Sequence, residues 1–453
     1  MNPPPPYVSM KSTILPLGML LPALAISAVF GETPLVLENE DLRKILSNFT
    51  SIFGVPESRD ETVPPVNFES PQVHPLDLSE DNRWLAAANT YADCVELFEL
   101  VDGVPEHRRS IYTGLNPVSV RFRNIEELWV ANHVSDSITI LEVPSGRVKK
   151  LLKTDDEPAD MVFSESANKA FVSCSQVNRL IAFDLSDLDA SPEKFPMKGE
   201  DPRALAVSPD GRYIFAAVFE SGNGTTVLGG GRTDSDDMIA YPPNVVNVID
   251  GPYSGVNPPP NDGDQTTPKQ RLFSDKKQVS LIVKKTPDGR WLDDNDGDWT
   301  TFVSGDRAEE SGRVKGWDLV DHDLAILDTQ TGTFRYAKGL MNICMAVDVN
   351  LTDGTISVVG TEAMNHIRYE PNLKGTFIRV QQATVRLNAD GSVETLANRD
   401  LNPHLDYSVS TVPQAVRDLS VGDPRAIVMS RESGKAYVAG MGSNNIIVTN
   451  GAG

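Results

Sequence analysis

A short sequence pattern recurs along this chain at intervals of slightly more than forty residues. In each copy a proline opens an apolar run, and a polar turn separates that run from a second apolar run. Four of these prolines are spaced 42, 41 and 44 residues apart: Pro75, Pro117, Pro158 and Pro202. A fixed period of this size is produced by one repeated supersecondary unit. We therefore predict one repetitive domain, although 453 residues alone would suggest two or three domains of ordinary size.

Each copy also contains a third run in which apolar and polar residues alternate. Examples are Ser137–Glu142, Arg179–Asp184 and 323–328. A period of two is typical of half-buried strands, and the Asp, Ser, Asn and Gly turns between runs favour antiparallel pairing. A repeat of this length with four antiparallel strands is typical of a propeller blade. The predicted fold class is therefore all-β, a β-propeller of four-stranded antiparallel blades.

The consensus of the repeat resembles a known family. It reads as a proline, an alternating strand, a turn such as 208–211 (Ser-Pro-Asp-Gly), a Val-Ala-Asn-like strand and a Ser-Ile-x-Ile-x-Asp/Glu strand. From about Pro75 to Asn450 this pattern is similar to the YVTN-type bacterial β-propeller repeat. The stretches 367–373 and 400–405 resemble large exported bacterial propeller proteins that often carry a c-type cytochrome domain after the propeller. Because this sequence has no Cys-x-x-Cys-His motif, haem is expected only if a downstream domain exists.

The pattern predicts six visible blades. They begin near Pro75, Pro117, Pro158, Pro202, Asn342 and Pro424. The resembling family usually has seven blades, and the sixth copy here stops after its third strand, which would leave an open strand edge. We favour the interpretation that the complete protein has seven blades and that this chain is truncated at its C-terminus. The alternative is that an N-terminal strand, residues 34–37, closes the ring.

The N-terminal region predicts export. Residues 14–30 are nearly all apolar, Lys11 precedes them, and small residues follow near the end of the run. This pattern is typical of a secretory signal peptide, which we assign to residues 1–31, and a single membrane anchor is the alternative. Residues 32–70 are then a linker or closing strand, and 71–453 form the propeller. The expected location is the bacterial periplasm or the extracellular space, with no membrane span after signal removal.

Charge and cysteine content exclude several functions. Asp and Glu total 63 against 41 Lys and Arg, which gives a formal charge of −22. Nucleic-acid backbones require surplus positive charge on their partners, so no nucleic-acid role is expected. Cys94, Cys174 and Cys344 are widely separated in apolar runs, and we predict buried, inert thiols.

One long insertion, about residues 220–322, separates the second and third strands of the fourth repeat. Two other long segments, 361–376 and 398–422, should emerge on the same end of the propeller as this insertion. Long loops gathered on one face are typical of a binding surface. Polar residues at the ends of second strands should surround that face. The candidate ligand-binding residues are Asn89, His133, Ser175, Glu220, Asn365 and Ser443.

An acidic stretch inside the insertion is a weak calcium candidate. Asp293, Asp294, Asp296 and Asp298 lie close together between two tryptophans. Carboxylate oxygens are suitable ligands for Ca²⁺, but the spacing does not match an EF-hand loop. A tight Asp-Gly turn is the alternative interpretation.

No catalytic motif is found in the sequence. It contains no Gly-x-Ser-x-Gly, no phosphate-binding loop and no zinc motif. We therefore expect no catalysis by this chain alone and no cofactor other than the candidate Ca²⁺. The predicted function is an exported binding or scaffold module for a protein, glycan or small ligand. The alternatives are the propeller portion of a periplasmic c-type haem redox protein, with the redox domain as partner, and a lactonase-like hydrolase.

Overall fold

The computed structural model describes residues 72–230, 243, 245–255, 280–366, 377–409, 411–430 and 433–451. In this part of the chain six antiparallel sheets are arranged as blades around a channel, and a smaller sheet lies in the insertion. Five blades have four strands and the sixth has three. The predicted all-β propeller with a long insertion in blade 4 is thus confirmed. The predicted signal peptide (1–31) and linker (32–70) lie outside the described residues, and a seventh blade and a longer chain stay predictions.

Blades 1 to 3 follow one another directly along the chain. Blade 1 consists of β1 (Leu76–Leu78), β2 (Trp84–Asn89), β3 (Cys94–Val101) and β4 (Val104–Tyr112). Blade 2 consists of β5 (Pro117–Asn124), β6 (Glu127–Asn132), β7 (Ser137–Glu142) and β8 (Arg147–Lys153). Blade 3 consists of β9 (Pro158–Ser164), β10 (Lys169–Cys174), β11 (Arg179–Asp184) and β12 (Glu193–Pro196).

Blade 4 is interrupted by the insertion. It begins with β13 (Glu200–Val207) and β14 (Tyr213–Glu220). The insertion forms its own sheet of β15 (Thr225–Leu228), β16 (Leu281–Lys285) and β17 (Trp291–Leu292), followed by helix α1 (Thr300–Val303). Blade 4 is completed by β18 (Leu324–Asp328) and β19 (Thr333–Ala337), because β14 pairs directly with β18.

Blades 5 and 6 contain the remaining strands. Blade 5 consists of β20 (Ile343–Val349), β21 (Ile356–Ala363), β22 (Ile378–Leu387) and β23 (Val393–Asp400). After helix α2 (Gln414–Arg417), blade 6 consists of β24 (Pro424–Met429), β25 (Ala436–Gly440) and β26 (Asn445–Thr449). The described residues contain no helix that is long and apolar enough to cross a membrane.

Apolar side chains fill the spaces between consecutive blades. Between blades 2 and 3, for example, Trp129 is fully buried and its ring meets that of Phe163 edge-on at 5.3 Å. Five such clusters join blades 1 to 6 in order. A sheet with two apolar faces is stable only when both faces are covered, which explains why the repeats form one domain.

Polar residues at the start of three inner strands link blades 2, 3 and 4 to the blade before each of them by hydrogen bonds. Asn116, Glu157 and Asp201 have φ of 57°, 56° and 54°, the left-handed conformation that Asn and Asp tolerate best. The backbone N–H of each donates to a side-chain oxygen in the previous blade at 2.7, 3.0 and 2.8 Å. The acceptors, in the same order, are Asp93, Asp136 and Asn178. We call this end of the propeller, which also carries the insertion, the loop-bearing face.

Candidate functional site

Two of the predicted face residues, His133 and Ser175, share one partner on the loop-bearing face. His133 Nε2 lies 3.6 Å from the Glu157 carboxylate, and the Ser175 hydroxyl donates to that carboxylate at 3.2 Å. Both His133 and Ser175 are buried. Burial lowers the pKa of His133, so its imidazole is neutral near pH 7. These residues therefore form a packed polar unit on the loop-bearing face.

Three other predicted face residues do not join this unit. Asn89 Nδ2 donates to Glu96 Oε1 at 3.1 Å within blade 1. The Ser443 hydroxyl donates to Asn445 Oδ1 at 2.6 Å and so caps the turn between β25 and β26. Glu220 is exposed at the end of β14. The predicted residues thus lie around the face, but they do not converge on one pocket.

Two arginines meet over one phenylalanine ring at the mouth of the channel. The guanidinium carbon of Arg203 lies 4.1 Å from the centroid of the Phe219 ring, and that of Arg425 lies 5.7 Å from it. Arg203 lies in the first half of β13, the inner strand of blade 4, and Arg425 is the second residue of β24, the inner strand of blade 6. Aromatic faces attract guanidinium groups, which stabilises this arrangement. We call Asp201, Arg203, Phe219, Asp423 and Arg425 the mouth cluster.

Each arginine of the mouth cluster is held by the aspartate two residues before it. Arg203 Nη2 lies 2.7 Å from the Asp201 carboxylate, and Arg425 Nε lies 2.7 Å from that of Asp423. Among the described residues, Nη1 of Arg203 and both Nη atoms of Arg425 have no hydrogen-bond partner. The two side chains remain 15% and 23% exposed, so solvent reaches them. The site therefore presents unused N–H donors that are fixed in place.

The mouth cluster was missed by sequence reasoning. Its only signal is the tripeptide Asp-Pro-Arg, which occurs at 201–203 and again at 423–425. Both copies fit the start of a blade, because the proline matches the repeat. The role of Phe219 has no sequence signal, since it depends on two blades that are distant in the chain.

The insertion has a core of its own and is fixed to blade 5 beside the mouth. Its buried apolar residues are Leu228, Val245, Val246, Leu281, Val283, Trp291, Trp299, Phe302 and Val303. Lys284 Nζ contacts Glu362 Oε1 at 2.5 Å. Asn223 Nδ2 donates to the predicted face residue Asn365 at 2.8 Å. Asn365 therefore helps to anchor the insertion, which forms a wall on the loop-bearing face.

The acidic stretch of the insertion forms a tight turn around Asp293. Its carboxylate accepts hydrogen bonds from the Tyr253 hydroxyl at 2.9 Å, Gly297 N–H at 3.0 Å and Trp299 Nε1 at 2.8 Å. Asp296 and Asp298 are exposed, and Asp294 is half-buried. The described residues contain no group of three or more His, Cys, Asp or Glu that could hold a metal. Calcium binding by Asp293, Asp294, Asp296 and Asp298 stays a prediction.

The three cysteine thiols are buried and unpaired, as predicted. Burial raises the pKa of Cys94 and Cys174 to about 12. Burial also raises the pKa of Cys344 well above its usual value. Because the thiolate is the reactive form, these three groups are poor nucleophiles.

Comparison with known proteins finds similarity among solved structures. No family model matches the chain, and no curated protein matches its sequence. Hydrazine synthase from Kuenenia stuttgartiensis is 14% identical, covering 86% of this chain and 99% of that chain, with a TM-score of 0.48. A putative 6-phosphogluconolactonase from Bacteroides uniformis is 12% identical, covering 82% and 79%, with a TM-score of 0.44. The WD40 repeats of RRP9 are 8% identical, covering 80% and 71%, with a TM-score of 0.40.

Proposed function

We propose that this chain is a non-catalytic binding module that holds an anionic group of its ligand at the mouth cluster. The observation that carries the proposal is the set of unused N–H donors on Arg203 and Arg425. Planar guanidinium groups bind carboxylate, sulfate and phosphate oxygens through paired hydrogen bonds. Because the paired aspartates and Phe219 already fix both arginines, little side-chain freedom is lost when a ligand binds.

The insertion supports a ligand larger than a single ion. It stands beside the mouth on the loop-bearing face and is tied to blade 5 through Lys284 and Asn223. An insertion next to the mouth cluster increases the surface area that a glycan or peptide can contact. We also propose that the protein acts outside the bacterial cytoplasm, on the evidence of the apolar segment at 14–30. The redox and hydrolase alternatives depend on resemblance alone, and neither is proposed.

The test compares two anionic probes by calorimetry at low salt: hexagalacturonate, an acidic glycan, and hexaglutamate, an acidic peptide. Arg203→Gln and Arg425→Gln should each weaken binding of the preferred probe about tenfold or more, because charged hydrogen bonds contribute roughly 1.5–3 kcal/mol. The probe that binds more tightly shows whether the anionic group recognised at the mouth cluster belongs to a glycan or to a peptide. Binding should also weaken as salt increases.

Arg212→Gln is the matched control. Arg212 also belongs to blade 4, lies 5.0 Å from the Tyr213 ring and pairs with Asp328 at 2.7 Å, but it lies in the β13–β14 turn, away from the mouth. The Arg212→Gln variant should bind both probes with the affinity of the wild type. The proposal is wrong if neither probe binds, or if Arg212→Gln weakens binding as much as Arg425→Gln does.

A further inference from the structure

A second polar site lies at the opposite end of the channel from the mouth cluster. A cavity of 330 Å³ is lined there by residues in and next to the inner strands of the six described blades. Its apolar wall includes Leu78 of blade 1, Val162 of blade 3, Leu205 of blade 4, Val347 of blade 5 and Ile427 of blade 6. Its polar lining residues are His74, Asp77, Arg121 and Asp348. Cavities that bind small molecules have this size and this mixture of apolar walls with few polar groups.

Arg121 supplies unused hydrogen-bond donors to this cavity. Its Nε and Nη2 donate to the two oxygens of Asp160 at 3.2 and 2.8 Å, and Nη2 also donates to the Leu205 carbonyl at 3.1 Å. Asp160 is fully buried, so this ion pair fixes the guanidinium firmly. Within the described chain, Nη1 of Arg121 has no hydrogen-bond partner. An oxygen acceptor on a ligand would satisfy it.

Asp77 supplies a carboxylate that has no cation of its own. Its Oδ2 accepts the Phe122 N–H at 2.6 Å, and no described Lys, Arg or His forms an ion pair with it. Burial raises the pKa of Asp77 to about 6, and Arg121 only partly opposes this. Burial also lowers the pKa of His74 to about 3, so the imidazole is neutral and cannot compensate Asp77. A ligand cation would supply the missing charge.

We propose that this cavity binds a small apolar molecule with an ammonium group next to a carboxylate, the arrangement of an apolar α-amino acid. The carboxylate would accept from Arg121 Nη1, the ammonium group would pair with Asp77, and the apolar wall would cover the side chain. A carboxylate alone is disfavoured by the negative charge of Asp77. An amine alone would leave the Arg121 donors unsatisfied.

The proposal is tested by calorimetry with three molecules of similar shape on the full chain. L-leucine carries both charged groups, 4-methylpentanoate carries only the carboxylate, and 3-methylbutylamine carries only the amine. Leucine should bind at least about tenfold more tightly than either of the others. Comparable binding of 4-methylpentanoate, or no binding of leucine at millimolar concentration, would overturn the proposal.

The role of Asp77 in leucine binding is tested with two variants and with the pH dependence of the affinity. Asp77→Asn keeps an acceptor for Phe122 and should weaken leucine binding about tenfold. Asp81→Asn, in the exposed turn that follows β1, should leave it unchanged. The leucine affinity of the wild type should also be lower at about pH 5 than at about pH 7.5, because Asp77 must be ionised. Equal affinity for leucine in wild type and Asp77→Asn would contradict the assignment, and a thermal melt of each variant confirms folding.

Discussion

At the scale of single residues, the polar groups of this propeller depend on contacts between blades that the sequence does not display. The repeat predicted where each inner strand begins, because proline and alternating apolar residues are local signals. It did not predict that Asn116, Glu157 and Asp201 adopt left-handed backbone conformations and bond to the preceding blade. Nor did it predict the environment of Asp323, a carboxyl group fully buried between blade 4 and blade 5.

Asp323 should make the stability of the protein depend on pH. Burial and, secondly, the nearby Asp321 raise the pKa of Asp323 to about 9 in the folded protein. When folding raises the pKa of an acidic group, that group stabilises the folded state fully at pH values below its unfolded pKa. This stabilisation is lost as the pH rises through the folded pKa. The free energy of unfolding should therefore fall between about pH 5 and about pH 8, by up to roughly 1.4 kcal/mol per unit from this group.

The variant Asp323→Asn isolates this effect. Its amide oxygen can still accept the Leu340 N–H, which donates to Asp323 at 2.5 Å in the wild type. Urea unfolding of the variant should show a flatter dependence on pH than the wild type. Parallel curves for the two proteins would show that Asp323 is ionised at neutral pH in the folded state.

At the scale of structural elements, the insertion is a small folded unit with a core of its own. The sequence placed it between the second and third strands of blade 4, and the pairing of β14 with β18 confirms this. The sequence of residues 293–298 is compatible with two interpretations, a calcium site and a tight hairpin turn. In the structure, Asp293 accepts hydrogen bonds from Tyr253, Gly297 and Trp299, and calcium binding by this turn stays a prediction.

Asp293→Ala should destabilise the insertion while leaving the blades folded. It would leave the buried Trp299 Nε1 without an acceptor, at a cost of about 1–3 kcal/mol, and would also remove the acceptor of the partly buried Tyr253 and Gly297 donors. Tryptophan fluorescence should show that the insertion of the variant unfolds at a lower temperature than that of the wild type, because Trp291 and Trp299 are buried in this core. In the wild type, a calcium chelator should leave the same step unchanged. A lower transition temperature with chelator would support the calcium site instead.

At the scale of the whole molecule, the propeller separates two polar sites along one channel. The fold class and the starts of the six blades could be predicted from the sequence, because both follow from a local period. The mouth cluster could not, since Arg203, Phe219 and Arg425 come from blades 4 and 6 and meet only when the blades surround the channel. Among the predicted face residues, Asn89, Ser175 and Ser443 bond within their own blades, whereas His133 contacts the next blade and Asn365 contacts the insertion.

Removal of the insertion should leave the ring of blades folded. A short linker in place of residues 222–316 should keep the circular dichroism of the strands, because the clusters between blades contain no insertion residue. Binding of the preferred anionic hexamer should weaken but persist, since the mouth cluster remains. Complete unfolding of this variant would show that the insertion is part of the core of the propeller.

The most direct test of the central claim is a double-mutant cycle at the mouth. Affinities for the preferred anionic hexamer would be measured by calorimetry for the wild type, Arg203→Gln, Arg425→Gln and the double variant. If both arginines hold the same anionic group, their losses should not add, and the coupling free energy should be about 0.5 kcal/mol or more. Additive losses would contradict a shared anion, and unchanged affinities in all three variants would contradict binding at the mouth cluster.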